Sequence, residues 1–194
     1  TGGSGVAFKT GWAAYEAAQD VKRQLIQRAA LIWDVPEDRI EHDSGVFKHK
    51  SDPELSLTFK EIATMLPDSG GPVVGRANLN PGGSGGSYSA NIVDVEVDPE
   101  TGKVDILRYT AFQDAGTAVH PSYVEGQMQG GTAQGIGWAL NEEYFMSEDG
   151  HLLNSTFLDY RMPTSLDLPM IETEIIEVAN PGHPFGVRGV GEAN

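Results

Sequence analysis

Cysteine is absent from the 194 residues, and lysine and arginine are scarce, 13 in all against 28 aspartates and glutamates. Without cysteine the chain itself holds no disulfide, thiolate metal site, iron–sulfur cluster or cysteine nucleophile. The charge, 13 − 28 = −15, excludes nucleic acid as the partner, because phosphate backbones require clustered cations. No apolar run reaches membrane-spanning length, and no charged-then-apolar leader is visible. The expected compartment is the cytoplasm. No fixed-period repeat, low-complexity tail or Gly-x-Ser-x-Gly elbow occurs, and the five histidines (His42, His49, His120, His151, His183) lack paired metal spacing, so each is expected at the surface or at a cap.

What is present is a globular composition: 39% hydrophobic residues before 24 glycines are added. Thr1-Gly2-Gly3-Ser4-Gly5 is a loop with no element before it, and Gly191-Glu192-Ala193-Asn194 closes inside a glycine-rich loop, so a piece of something larger is expected. Between these ends, Ala14, Ala17, Ala18, Val21, Leu25, Ile26, Ala29 and Ile32 recur near the 3.6-residue period and predict a long helix from Trp12 to about Trp33, with Thr10 as N-cap and Pro36 beyond its end. Arg39–Asp43 and Val46–Lys50 flank Ser44-Gly45 as a hairpin. Thr58–Leu66 reads as a short helix with Thr58 and Glu61 at capping-box positions. Residues 70–86, with seven Gly and two Pro, read as loop around one short strand at Val73–Leu79. Tyr88–Asp98 and Val104–Gln113 alternate around Pro99-Glu100-Thr101-Gly102 and form the clearest hairpin. A second long helix at Pro121–Tyr144, a hairpin at Met146–Leu153 and a strand at Ile171–Val178 follow. Helices after paired strands, without βαβ alternation, predict an α+β fold: two layers, with two long helices packed on a mixed β-sheet that contains antiparallel hairpins.

Four segments could carry chemistry. Gly126 to Gly137 holds five Gly in twelve residues, which costs about 1 kcal/mol each in helix propensity. Either a neighbouring backbone or a ligand must approach closely. Gln127, Gly131 and Gln134 share one face there, and amides donate and accept, which suits a flat polar heterocycle; close packing with solvated glutamines is the other reading. Phe185 to Glu192 places a lone carboxylate behind three spaced glycines. In a desolvated pocket it would suit general-base work; in an open one it is a solvated loop residue. Arg188 would pair locally or meet a ligand. The loops Gly2-Gly3-Ser4-Gly5 and Gly82-Gly83-Ser84-Gly85-Gly86 offer backbone N–H groups to an anion, the first close to a helix start; the second reads better as flexible coil.

Together, five ordered motifs resemble the large molybdenum subunit of the xanthine dehydrogenase and aldehyde oxidase family. They are Thr1-Gly2-Gly3-Ser4 with Gly11 to Ala18, Asp94 to Gly102 and Asp114 to Pro121, Gly126 to Gly137, Leu158 to Pro163, and Gly189-Val190-Gly191-Glu192. Only Ile32 to Leu79 is generic. The resemblance implies that residues 1–194 are the C-terminal part of a molybdopterin cofactor-binding domain. It implies that Glu192 is the catalytic general base, that Gly2, Gly3 and Ser4 offer backbone N–H groups to the cofactor, and that Gln127, with Gln134 matching less closely, hydrogen-bonds the pterin. No side chain is implied as metal ligand, because the pterin dithiolene holds molybdenum. Gly at 2 and 3 departs mildly from the family's commoner small residues.

The implied activity is oxidative hydroxylation of an electrophilic carbon (purine, N-heterocycle or aldehyde-like) using water. The implied cofactor is molybdopterin, or its cytosine dinucleotide form, with iron–sulfur and FAD groups only on other domains or subunits. The implied partners are the remainder of the large subunit, those redox modules and a small-molecule substrate, and the piece alone is expected to be inactive. The competing readings are a non-catalytic module that packs on a partner subunit, and a nucleotide-binding domain using the glycine loops.

Overall fold

The computed structural model describes residues 2–83 and 85–193; Thr1, Ser84 and Asn194 lie outside the described residues, and with them the start of the first glycine loop, the middle of the Gly82–Gly86 loop and the end of the last. The chain divides into two compact units, residues 10–80 and residues 1–9 with 81–194. Each is α+β.

In the unit of residues 10–80, helix α1 (Gly11–Trp33) presents Leu25, Ala29 and Ala30 to a sheet of three antiparallel strands, β1 (Ile40–Asp43), β2 (Val46–His49) and β3 (Ser56–Thr58), followed by α2 (Phe59–Met65). Ile40, Phe47 and Ile62 complete the core; Phe47 is 1% exposed and Ile62 fully buried. Helix α1 ends where Asp34 turns left-handed (φ 53°) and returns its N–H to Ala30. Thr10 stands at its N-cap position as expected, but its side chain makes no cap hydrogen bond and its backbone is itself helical, as the last residue of a π-helical turn (Val6–Thr10). The capping box forms as expected, with Glu61 N donating to Thr58 Oγ1 (3.3 Å) and Thr58 N to Glu61 Oε2 (2.7 Å).

The strand expected at Val73–Leu79 does not form. Two side chains one turn apart on α1 take up backbone groups of this segment, Asp20 accepting from Arg76 N (3.0 Å) and Gln24 donating to Val74 O (2.9 Å); one turn further, Arg28 donates to Ser69 O and to Gly70 O (3.1 Å), just before it. Gly75 passes so close to α1 that a Cβ there would collide with the Ala17 carbonyl.

The other unit is built on a mixed sheet in the order β4-β5-β6. Strands β4 (Tyr88–Val97) and β5 (Val104–Asp114) pair antiparallel through the expected turn, with a bulge at Asp94/Val95, and β6 (Ile171–Ile176) lies parallel to β5. Helix α3 (Pro121–Leu140) packs on β5 and β6 through Met128, Thr132 and Ile136, spaced four apart, and Gln129 donates to Ile171 O (3.2 Å). It stops four residues short of Tyr144, and the Met146–Leu153 hairpin is reduced to one bridge, Met146 with Leu152. One mixed sheet is therefore present, but each long helix lies against a sheet in its own unit rather than both on one. Every position of β4 is exposed.

Candidate functional site

The C-terminal end of β5 organises the site. Beyond Asp114 the chain turns through Gly116 (φ 67°), and the terminal segment crosses it: Gly116 bridges Val187, Thr117 N donates to Gly186 O (2.9 Å), and Arg188 N donates to Ala115 O (3.1 Å). A Cβ on Gly116 would sit on the Gly186 carbonyl oxygen, so the crossing requires glycine both for its backbone angle and for its lack of bulk.

The crossing is held electrostatically. Asp114 Oδ1 accepts from Gly116 N (2.9 Å) and Val178 N (3.1 Å), and its Oδ2 pairs with Arg188 Nε (3.1 Å). The two side chains are 9% and 13% exposed. Arg188 also donates to Val178 O (3.1 Å) and Gly86 O (2.8 Å) and lies over the Tyr88 ring. The expected local pairing of Arg188 is thus corrected: its partner is the buried Asp114 on β5, which offers a desolvated carboxylate in place of a solvated one.

His183 corrects the expectation of surface histidines. It is 6% exposed, with Nε2 3.0 Å from Phe8 O, and its Nδ1 accepts from Phe185 N (3.2 Å) and Val187 N (3.4 Å). These acceptor bonds fix the Nε2–H tautomer. Through it the N-terminal turn around Phe8 is tied to the terminal segment.

Against this frame lies an open cavity of about 490 Å³, within the size range of small-molecule sites. Gly2 and Ser4 from the N-terminal loop, Gln127 from α3, and Gly191 and Glu192 from the terminal loop line it. A second cavity of about 360 Å³ adjoins, lined by Gly3, Ser4, Ser87 and Glu192 among others, so Ser4 and Glu192 border both. The N-terminal loop turns through Gly3 (φ 58°) and Ser4 (φ 52°), the latter an uncommon left-handed non-glycine residue. Gly191 faces Gln127 so closely that a Cβ would lie 2.5 Å from its Oε1.

Five of the six expected site residues therefore border these two cavities. Gln134 does not: it is exposed on α3 two turns past Gln127, about 10 Å further along the axis. Glu192 is exposed in this chain, not enclosed as expected of a desolvated base. Three helix glycines, Gly126, Gly130 and Gly135, have nothing within 4 Å of where a Cβ would stand, whereas at Gly137 a Cβ would meet Glu142 and Pro163. Close packing within the described residues thus accounts for Gly137 alone among these four.

Sequence reasoning missed His120 and Tyr123. They stack at 3.9 Å and 17° in the wall of the larger cavity, with Ser122 Oγ 3.1 Å from His120 Nδ1. It also missed Gln113, which has no exposed surface. The available signal was its inward register with Ala111, since a polar residue there needs a partner. No three metal-ligating side chains cluster among the described residues.

The donor set suits molybdopterin. An amide (Gln127), a hydroxyl (Ser4) and glycine backbone face a cavity whose lining includes one cation, Arg188, already paired with Asp114, fitting a polar heterocycle held by hydrogen bonds, and Gly191 stands closer to Gln127 than a residue with a side chain could.

Comparison with known proteins agrees in kind. Residues 1–169 match the family described as molybdopterin cofactor-binding domain. The carbon monoxide dehydrogenase large chain of Afipia carboxidovorans is 32% identical across 100% of this chain and 24% of its own length. A putative xanthine dehydrogenase molybdenum-binding subunit of Escherichia coli K12 is 35% identical across 91% of this chain and 24% of its own. The solved structure of reconstituted CO dehydrogenase from Oligotropha carboxidovorans superposes with a TM-score of 0.83 at 31% identity, covering 100% of this chain and 25% of that one. The chain thus spans about a quarter of the length of these relatives.

Proposed function

The chain belongs to the molybdopterin cofactor-binding domain family, and from that premise we propose that residues 1–194 form the C-terminal part of such a domain in a molybdenum hydroxylase. The supporting observation is the convergence of Gly2 and Ser4, Gln127 and Glu192, from three separate stretches, on one cavity. In this reading Gly2, Gly3 and Ser4 offer backbone N–H groups to the cofactor and Gln127 hydrogen-bonds the pterin. Gln134 is left out, because it borders neither cavity. When bound, the cofactor supplies the redox centre for hydroxylating an electrophilic carbon with oxygen from water.

Glu192 acts as general base, holding the proton released from the attacking oxygen at its carboxylate. Its exposure in this chain fits a site completed by other residues, and so do the ten exposed positions of β4 and the open faces of Gly126, Gly130 and Gly135. The proposed partners are accordingly the remainder of the large subunit, redox modules carrying iron–sulfur and FAD groups, and a small purine, N-heterocycle or aldehyde-like substrate. The cofactor is molybdopterin or its cytosine dinucleotide form, and the proposed compartment is the cytoplasm.

The test is Glu192→Gln in the complete enzyme. Turnover falls by about 10² to 10⁴-fold while molybdenum and pterin content is retained. An unchanged rate, or a complete assembly that carries no molybdenum, refutes the assignment and leaves the packing module.

A further inference from the structure

The two glycines of Gly189-Val190-Gly191 give the backbone before Glu192 more freedom to lose than other residues would, and ordering it costs about 1–2 kcal/mol per residue. Something must hold it. In this fold the restraint comes from the sheet. Gln113, fully buried on β5, donates its amide hydrogens to two consecutive carbonyls, Gly189 O (3.3 Å) and Val190 O (3.0 Å). Ser87 Oγ, just before β4, donates to the same Gly189 O (2.6 Å), and Ser89 Oγ on β4 donates to Ala193 O (2.6 Å). Side chains from two paired strands therefore grip the backbone on both sides of Glu192, while Arg188 is anchored by Asp114.

We propose that Gln113, seconded by Ser87 and Ser89, is the positioning residue for Glu192: a neutral clamp from β5 that fixes the Gly189–Ala193 backbone so that the carboxylate stands at the cavity border. The inference rests on Glu192 being the general base. An amide suits the task, because it donates twice from one side chain and places no charge beside the carboxylate that must change protonation. A carboxylate at 113 would face two carbonyl oxygens without a donor, and an apolar residue would leave Gly189 O to Ser87 Oγ alone and Val190 O to the long bond from Ala193 N (3.4 Å).

The experiment uses the full-length subunit with Gln113→Met, which keeps length and removes the donors. In the cofactor-free protein, hydrogen exchange of the peptide covering residues 186–193 accelerates about tenfold or more while α3 stays protected. In the loaded enzyme kcat falls by about 10 to 10²-fold with KM within about twofold and molybdenum content unchanged. In a Glu192→Gln background the same substitution has no further effect, because two residues acting as one unit are not additive.

Unchanged loop exchange or unchanged kcat overturns the proposal. An equal loss in both backgrounds also overturns it, since that is the mark of a general structural defect. If Glu192→Gln itself leaves turnover intact, the functional reading fails instead, and the exchange experiment reads the clamp separately. Should Gln113→Met not fold, the Ser87→Ala/Ser89→Ala pair, which removes two loop contacts from outside the core, decides by the same two readouts.

Discussion

Replacing Asp114 by alanine strikes the crossing on which the cavity stands, and its cost follows from four groups. Asp114 Oδ1 holds Gly116 N and Val178 N, and its Oδ2 holds Arg188 Nε at 3.1 Å, with 9% of the aspartate and 13% of the arginine side chain exposed. At that burial solvent screening is weak, so the pair falls outside the range of surface ion pairs. Removing the carboxylate strands a buried guanidinium, worth about 3–5 kcal/mol, and unpairs two backbone N–H groups at about 1–3 kcal/mol each. These losses overlap, because Arg188 keeps its bonds to Val178 O and Gly86 O and water reaches part of the gap. The expected net loss is about 3–5 kcal/mol. Asp114→Asn retains one acceptor and loses about half of that.

The assay is native-state hydrogen exchange of the β5 and β6 amides, which reports on this unit directly. Arg188→Met serves as the second arm of a double-mutant cycle, and a coupling above about 1 kcal/mol is expected for a pair in direct contact. A loss below about 1 kcal/mol for Asp114→Ala would mean that the carboxylate does not hold the crossing.

Other perturbations follow from the same geometry. Gly116→Ala combines a left-handed backbone with a collision against the Gly186 carbonyl, so it destabilises this unit by at least about 2 kcal/mol in the same exchange assay; a neutral outcome would show that the turn relaxes freely. Gly191→Ala meets only the flexible end of Gln127, so the fold survives while Gln127 is displaced, and molybdopterin content of the complete enzyme drops; full cofactor retention with unchanged affinity argues against Gln127 as a ligand. The backbone N–H of Thr58, then its hydroxyl, hold the Glu61 carboxyl below the usual carboxylate range, and the Arg76 N–H does the same for Asp20. Folded values below the unfolded ones stabilise the protein above the ordinary carboxylate value, and this contribution is lost as the pH falls through the lowered folded values. Titration of Glu61 followed by NMR should move part of the way back upward in Thr58→Ala, which removes the hydroxyl and leaves the backbone N–H; no movement would remove the hydroxyl as a cause.

The regularity of these elements explains which parts of the fold could be read in one dimension. The α1 stripe, the capping box and the Tyr88–Gln113 hairpin depend on residues a few positions apart, and those are the elements that appear where expected. The Val73–Leu79 strand fails for the opposite reason: its backbone meets Asp20 and Gln24, 56 and 50 residues away, and no local pattern announces them. The missing cap hydrogen bond at Thr10 has a local cause, a π-helical turn for which the sequence carries no simple signature.

The site divides in the same way. Composition singled out Gln127, Gln134 and Glu192, because a glycine-flanked carboxylate and a glycine-rich helix bearing amides are unusual, and the ordered motifs added Gly2, Gly3 and Ser4. That Gln127 and Gly191 stand face to face, that Arg188 pairs with Asp114 rather than locally, that His183 is buried against Phe8, and that Gln113 grips the terminal loop were settled by the tertiary fold. The amino-acid order sets backbone freedom, charge and period, which are properties of neighbours along the chain. Burial and partnership arise only when segments distant in sequence meet, as where Gln113 on β5 reaches the Gly189 carbonyl 76 residues on, and those decided which polar groups hold the site together.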